Sequence, residues 1–350
     1  MNKLFKIGSK LISEDSPAYV IAEMSGNHNG DFDRAVKIVD AIKESGADAV
    51  KLQTYTADTI TIDCDNPEFR TGKGLWENEK TLYNLYKKAY TPWEWQKDLK
   101  EYAESIGLDC FSSPFDHTAV DFMQEIGMPA IKIASYEIND IPLIKKAAKT
   151  GKPIIISTGI AHLEDIERAL KTCSGVGNEN VALLKCTSAY PSPYEDMNIK
   201  LIPNMKETFD CIVGLSDHSL GSEVALGAIA LGAKIIEKHI TLKRSDGGVD
   251  SAFSMEADEF KQMVSQIRNL EKALGRATYK LTDKQEAGRS GSRSLYVVSD
   301  IKRGEVFTKK NVRSIRPAKG LHTMYYEQVL GKVATDDFKK GTPLDWGMFK

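Results

Sequence analysis

The sequence predicts an α/β protein, a (β/α)8 TIM barrel followed by a small β-rich C-terminal domain. Short β-rich runs alternate with amphipathic stretches, and strands joined by helices lie parallel. Eight such runs occur by residue 241, the number that closes a (β/α)8 barrel. Neither GxGxxG nor GxxxxGK[ST], the glycine-rich phosphate turns common in open doubly wound sheets, is present, which disfavours that alternative.

In order, the runs are AYVIAEMS (18–25), AVKLQT (49–54), DCFSSP (109–114) and AIKIAS (130–135). PIIISTG (153–159), VALLKCTS (181–188), CIVGLSDH (211–218) and AKIIEKHIT (233–241) follow. Between them, RAVKIVDAIKES (34–45), EDIERALKT (164–172) and GSEVALGAIALG (221–232) read as amphipathic helices. EADEFKQMVSQIRNLEKALG (256–275) completes the eighth unit. Two intervals break the rhythm. Residues 55–90 form a long insertion rich in aromatics (Phe69, Trp76, Tyr83, Tyr86, Tyr90), and a long βα loop on a barrel usually serves function. Residues 276–292, RATYKLTDKQEAGRSGS, are polar and read as a linker between a barrel over 1–275 and a domain over 293–350. RSLYVVSDIKRGEVFTKKNVRSIRP carries strand and turn signals but no long helical pattern, as a small β domain would.

The chain has 350 residues, 41% apolar and 27% charged, an ordinary globular composition. Its net charge of −2 argues against a nucleic-acid partner. The charge is unevenly spread: +7 over residues 289–350 and −9 over the rest. That split suits two modules that attract each other, or simple drift of composition between domains. No uncharged apolar run approaches the ~20 residues of a membrane span. The opening MNKLFKIGSKLISED lacks the apolar core of a signal peptide. Five scattered cysteines without CxxC spacing read as reduced thiols of a cytoplasmic protein.

Barrel chemistry gathers at the C-terminal ends of the strands. There the sequence places Glu23; Lys51 and Gln53; Ser113; Lys132, Ser135 and Glu137; Ser157; Ser188 and Tyr190; Ser216 and His218; and Glu237 and His239. His218 and His239 end the last two strands. With Glu23 beside them after closure, they form either a divalent-cation site or a pair of hydrogen-bonded barrel histidines. Lys51 and Lys132 in a barrel mouth need anions: with the serines they suit a phosphate and carboxylate cradle. A Schiff-base lysine and a solvated lysine are the competing readings. Glu137 is a candidate general acid or base, or a partner of the helix that follows it.

The motifs IAEMSGNHNG, AVKLQTY, CFSSPFD, KIASYEI, IISTG, KCTSAYPSP, GLSDHSLG and GAKIIEKHITL occur in that order. Together they resemble the nonulosonic (sialic) acid synthase family over nearly the whole chain. RSLYVVSDIKRGEVF looks like the family's SAF (antifreeze-like) domain. The resemblance implies a transferase that condenses phosphoenolpyruvate with an open-chain acetamido-deoxyhexose, releases phosphate and forms a nine-carbon 2-keto acid. It implies a divalent metal ion (Mn2+, Mg2+ or Co2+) on His218 and His239. Phosphoenolpyruvate would be held by Lys51, Lys132, Ser113, Ser135, Ser157, Ser188 and Ser216. Ser188 stands where the sialic acid branch commonly has Asn, a shorter donor. Gln53, Tyr190, Glu237 and Asp250 would bind or order the sugar, Glu23 would order the site, and Glu137 would transfer a proton. The resemblance also implies a domain-swapped homodimer in which Arg293 of one chain reaches the partner's site. TLYNLYKKAYTPWEW (81–95) and GGVDSAFSMEADE (247–259) look most like the pseudaminic acid branch, with N-acetylneuraminate and legionaminate synthases as alternatives. Outside the family, a Schiff-base pyruvate aldolase or a non-catalytic carbohydrate-binding protein competes.

Overall fold

A hairpin outside the eight runs opens the chain: β1 (Leu4–Ile7) pairs antiparallel with β2 (Lys10–Ser13). Phe5, Ile7 and Ile12 bury their side chains in the barrel core. Gly8 makes the turn with φ 54°, and a Cβ there would lie 2.0 Å from Asp109 Oδ1. Asp109 begins a barrel strand, so the hairpin sits at the N-terminal end of the barrel, away from the strand ends that carry polar residues.

The computed structural model describes residues 1–72 and 74–350, and the chain divides into Met1–Gly275 and Arg276–Lys350. In the first unit, each of the eight runs is a strand. They are β3 (Tyr19–Glu23), β4 (Ala49–Thr54), β5 (Asp109–Pro114), β6 (Ile131–Ile133), β7 (Ile154–Ser157), β8 (Val181–Cys186), β9 (Ile212–Asp217) and β10 (Ile235–Thr241). Each pairs in parallel with the next, and β10 pairs with both β9 and β3, which closes the barrel. A two-residue strand, β11 (Met255–Glu256), pairs in parallel with the end of β10. Both faces of these strands are covered, so even their polar residues, such as Lys51 on β4 and Glu237 on β10, are buried.

The helices are α1 (Phe32–Ser45), α2 (Ala57–Ile60), α3 (Leu82–Ala89), α4 (Trp93–Ser105), α5 (His117–Glu125), α6 (Ile141–Lys149), α7 (Leu163–Ser174), α8 (Leu201–Phe209), α9 (Glu223–Ala230) and α10 (Ala257–Leu274). Helix α1 illustrates their logic. Asp31 caps its N-terminus by accepting from Arg34 N, and Ala35, Ile38, Val39 and Ile42 form the buried stripe. Gly46 ends it at φ 80°. Helices α2 and α3 belong to the 55–90 insertion.

In the second unit, β12 (Ser294–Val297) pairs antiparallel with β13 (Val312–Ile315) over a core that includes Leu295, Val297, Ile301, Phe307, Val312 and Leu344. The segment expected to be a plain linker contains a short helix, α11 (Asp283–Gly288), whose first turn Thr282 and Gln285 cap reciprocally. Among the described residues, no helix is long and apolar enough to cross a membrane.

Candidate active site

Neighbouring residues on a barrel strand face opposite sides, so parity decides what enters the mouth. Lys51 and Gln53 share one face of β4, and Glu237 and His239 share one face of β10. The register sets Glu23 beside both His239 and Lys51, and Glu237 beside Ser216. Lys238 has the opposite parity. It forms a buried pair with Asp217 at 2.7 Å and donates to the Ser219 carbonyl at 2.5 Å, outside the mouth.

Two ammonium groups and two carboxylates share the floor. Lys51 Nζ lies 2.5 Å from Glu23 Oε2 and 2.9 Å from Glu237 Oε1. Lys132 Nζ lies 3.6 Å from the same Glu237 oxygen, to which Ser216 Oγ approaches at 3.4 Å. Ser113 accepts from Lys51 at 3.4 Å, and Gln53 donates to Glu23 Oε1 at 3.1 Å. Burial pushes the Lys51 ammonium down to about 8 despite its carboxylate partners. Burial would raise the Glu237 carboxyl, but Lys132 and Lys51 outweigh it and hold it below the usual range.

His218 and His239 stand above this floor with ring centroids 5.4 Å apart. His218 Nδ1 is 3.1 Å from the Thr187 carbonyl, which can only accept, so Nδ1 carries the proton and Nε2 is the ring's free position. The neighbouring Asp217 carboxylate is committed to Lys238. Burial, then the His218 ring beside it, drives the His239 imidazole well below its ordinary value, and its buried Nδ1 has no hydrogen-bond partner. A neutral imidazole with an unmet buried nitrogen, next to a second imidazole, fits two ligands of a divalent cation. Glu23 is not free to join them, because Lys51 and Gln53 hold its carboxylate. Among the described residues, no three His, Cys, Asp or Glu side chains are arranged as a ligand set, so further ligands would come from substrate or water.

Glu137 follows β6 in a short turn, and burial pushes its carboxyl up to about 7 against the pull of Lys132. Its Oε2, Ser157 Oγ and Glu237 Oε2 join His239 Nδ1 as buried polar atoms without partners. Buried polar groups are normally satisfied, so several unmet ones in one mouth point to a polar ligand. Ser135 Oγ accepts from Gly159 N at 3.0 Å. A Cβ on Gly159 would sit 2.1 Å from Ser188 Oγ and 2.8 Å from Ser135 Oγ, so this wall closes only around glycine.

Beside the floor lies a cavity of about 520 Å³. Gln53, Glu137, His239 and Asp250 give it polar groups, and Tyr190 and Phe253 pack against the histidine rings at 4.5 and 4.9 Å. Asp250 accepts from Ser25, and burial raises its carboxyl. Arg293 lies in the second unit, exposed, donating to the Ser314 carbonyl at 2.7 Å.

Sequence reasoning missed two contributors. Cys186 Sγ lies 3.8 Å from His218 Nδ1; burial raises the thiol, but His218, Ser135 and Lys132 together outweigh it and pull it down to about 7. Its position at the end of β8 was the available signal. Gly159 gave none, because its role depends on side chains distant in the sequence.

Residues 38–279 match the NeuB family, and residues 292–350 match the SAF domain. A protein named pseudaminic acid synthase from Campylobacter jejuni is 45% identical over 96% of this chain and 98% of its own. An N,N'-diacetyllegionaminic acid synthase from the same species is 37% identical over 92% of this chain and 97% of its own. The crystal structure of an N-acetylneuraminic acid synthetase from Leptospira borgpetersenii superposes with a TM-score of 0.73 at 31% identity, covering 81% of this chain and 94% of that one. A parallel barrel with this polar mouth and these matches along its length establishes that the chain belongs to the NeuB family and carries a SAF domain.

Proposed function

We propose that the chain is a pseudaminic acid synthase, condensing phosphoenolpyruvate with the open-chain aldehyde of 2,4-diacetamido-2,4,6-trideoxy-L-altrose. C3 of the enol phosphate attacks the aldehyde carbon and forms the new carbon–carbon bond, while the aldehyde oxygen gains a proton. Water adds at C2, and the tetrahedral product expels phosphate by carbon–oxygen cleavage, leaving the 2-keto acid. The observation that carries this reading is the buried floor of Lys51 and Lys132 surrounded by unmet polar atoms.

On this reading, Lys51 and Lys132 bind the phosphate and carboxylate, with Glu23 and Glu237 holding the ammonium groups in place until the anion arrives. Ser113, Ser135, Ser157, Ser188 and Ser216 supply hydroxyls. Such positioning can supply about 7–11 kcal/mol of a bimolecular barrier. Gln53, Tyr190, Glu237 and Asp250 order the sugar. Glu137 moves a proton at the aldehyde oxygen or the added water, an effect of about 10²–10⁴-fold. A divalent metal ion (Mn2+, Mg2+ or Co2+) on His218 and His239 supplies Lewis-acid polarisation of the aldehyde oxygen when bound. The basic second unit and acidic barrel support a domain-swapped homodimer in which Arg293 completes the partner's sugar site. Five free cysteines suit the reducing cytoplasm.

The test incubates the full chain with phosphoenolpyruvate, Mn2+ and a panel of acetamido-hexoses, measuring phosphate release and product mass. The expected result is stoichiometric phosphate with the mass of pseudaminic acid from the L-altro sugar. Preferred turnover of the legionaminate or neuraminate precursor would reassign the branch. A lysine adduct trapped by borohydride without phosphate release would replace the reading with a Schiff-base aldolase.

A further inference from the structure

The 55–90 insertion supplies much of the lining of the 520 Å³ cavity, including Ile60, Trp76, Leu82, Leu85, Tyr86 and Ala89. These side chains are apolar or aromatic, whereas Gln53, Glu137 and His239 come from the strand ends of the barrel. The cavity therefore combines polar groups, where the reacting carbonyl would sit, with an apolar lining to which the insertion is the largest contributor, joined by Phe115, Val249 and Phe253. Trp76 is fixed within that lining. Its indole N–H donates to the Val249 carbonyl at 2.8 Å, and its ring packs against Tyr190 with centroids 5.6 Å apart. The loop it meets is held independently. Arg34 pairs with Asp246 at 2.7 Å, Asn29 donates to the Gly247 carbonyl at 3.2 Å, and Arg244 donates to the Ser254 carbonyl at 3.2 Å. Trp76 is thus not needed to keep the loop in place, and its ring is free to act as a wall.

We propose that the insertion forms an apolar subsite, roofed by the Trp76 ring, that takes the methyl-bearing end of the sugar and makes Trp76 a specificity-determining residue for 6-deoxy substrates. This rests on the reading of the site as an acetamido-sugar synthase. A methyl group against an aromatic wall gains burial, whereas a hydroxyl at the same place loses its water without finding a partner. An apolar pocket of this kind discriminates by about 10–200-fold.

The experiment compares matched 2,4-diacetamido sugars, 6-deoxy and 6-hydroxy, with phosphoenolpyruvate and Mn2+, in the wild-type chain, Trp76→Ala and Trp76→Phe. Trp76→Ala should raise KM for the 6-deoxy sugar by roughly 10–100-fold and shrink the preference over the 6-hydroxy sugar. KM for phosphoenolpyruvate should stay unchanged, a split that general damage to the mouth would not give. Trp76→Phe keeps a ring but loses the N–H, and should keep the preference. A preference unchanged in Trp76→Ala overturns the subsite, as does a parallel rise in KM for phosphoenolpyruvate. Equal damage in Trp76→Phe also overturns it, because the tether to Val249 would then be the active feature. If the wild-type chain turns over no acetamido sugar, the functional reading itself fails and this inference falls with it.

Discussion

Glu137 is protonated below about 7 and ionised above it, because burial disfavours its charge. A carboxyl raised in the folded state stabilises the fold fully below its unfolded value, near 4.5, and that contribution is lost as pH rises through 7. Glu137→Gln removes the ionisation. It should melt higher than the wild type at pH 8 but not at pH 4, as scanning calorimetry would show. It should also lose about 10²–10⁴-fold in kcat together with the inflection near pH 7 in the rate profile. A wild-type-like profile in this variant would remove Glu137 from the chemistry. The histidines have a separate readout. His218→Ala or His239→Ala should abolish stoichiometric Mn2+ binding, measured by calorimetry or electron paramagnetic resonance, while leaving the circular dichroism spectrum intact. Unchanged binding in both would take the cation elsewhere. These residues were legible because ionisable groups at apolar strand ends stand out. The commitment of Glu23 to Lys51 was not, because only the register brings Lys51 closer to that carboxylate than to open solvent.

Helix α6 shows how an element tunes a residue. Asp140 caps it by accepting from Leu143 N at 3.0 Å, and Pro142 lies in its first turn, where a missing N–H costs nothing. The Asp140 backbone N–H also donates to the Glu137 carbonyl at 3.0 Å, so cap and carboxyl belong to one turn. Burial is the main cause of the raised Glu137 value, and the Asp140 charge adds to it. Asp140→Ala should cost about 1 kcal/mol and lower Tm by roughly 2–4 °C. Asp140→Asn keeps a good cap but removes the charge, so it should leave Tm nearly unchanged and move the rate inflection to lower pH. An inflection that stays in place would show that the two carboxylates do not communicate. Helices and strands of this kind could be read from apolar spacing and caps. The β1–β2 hairpin could not: each arm has four residues, and its burial depends on the open end of a barrel formed later in the chain.

Closure of the whole barrel needs β10 to pair on both sides, and at its seam with β9 Lys238 lies directly opposite Asp217. The sequence makes the eight strands countable, but whether a polar residue faces mouth or helices depends on parity and on its neighbour across the seam. Asp217, between Ser216 and His218 in the sequence, is for that reason a structural residue and not a mouth residue. Its Oδ1 accepts from Ser219 N at 2.9 Å and Ser219 Oγ at 2.6 Å, while Oδ2 pairs with Lys238. Both side chains are almost completely buried, so neither charge has water to fall back on. Lys238→Met should leave an uncompensated carboxylate and cost about 3–5 kcal/mol, a large share of a typical folding free energy of ~5–15 kcal/mol. The urea midpoint of the barrel transition should fall accordingly. Asp217→Leu combined with Lys238→Met removes both charges and should recover most of that loss. If Lys238→Met unfolds at the wild-type midpoint, the pair is not what holds the seam. If the double variant is as weak as the single one, the Ser219 hydrogen bonds, rather than the stranded charge, carry the stability.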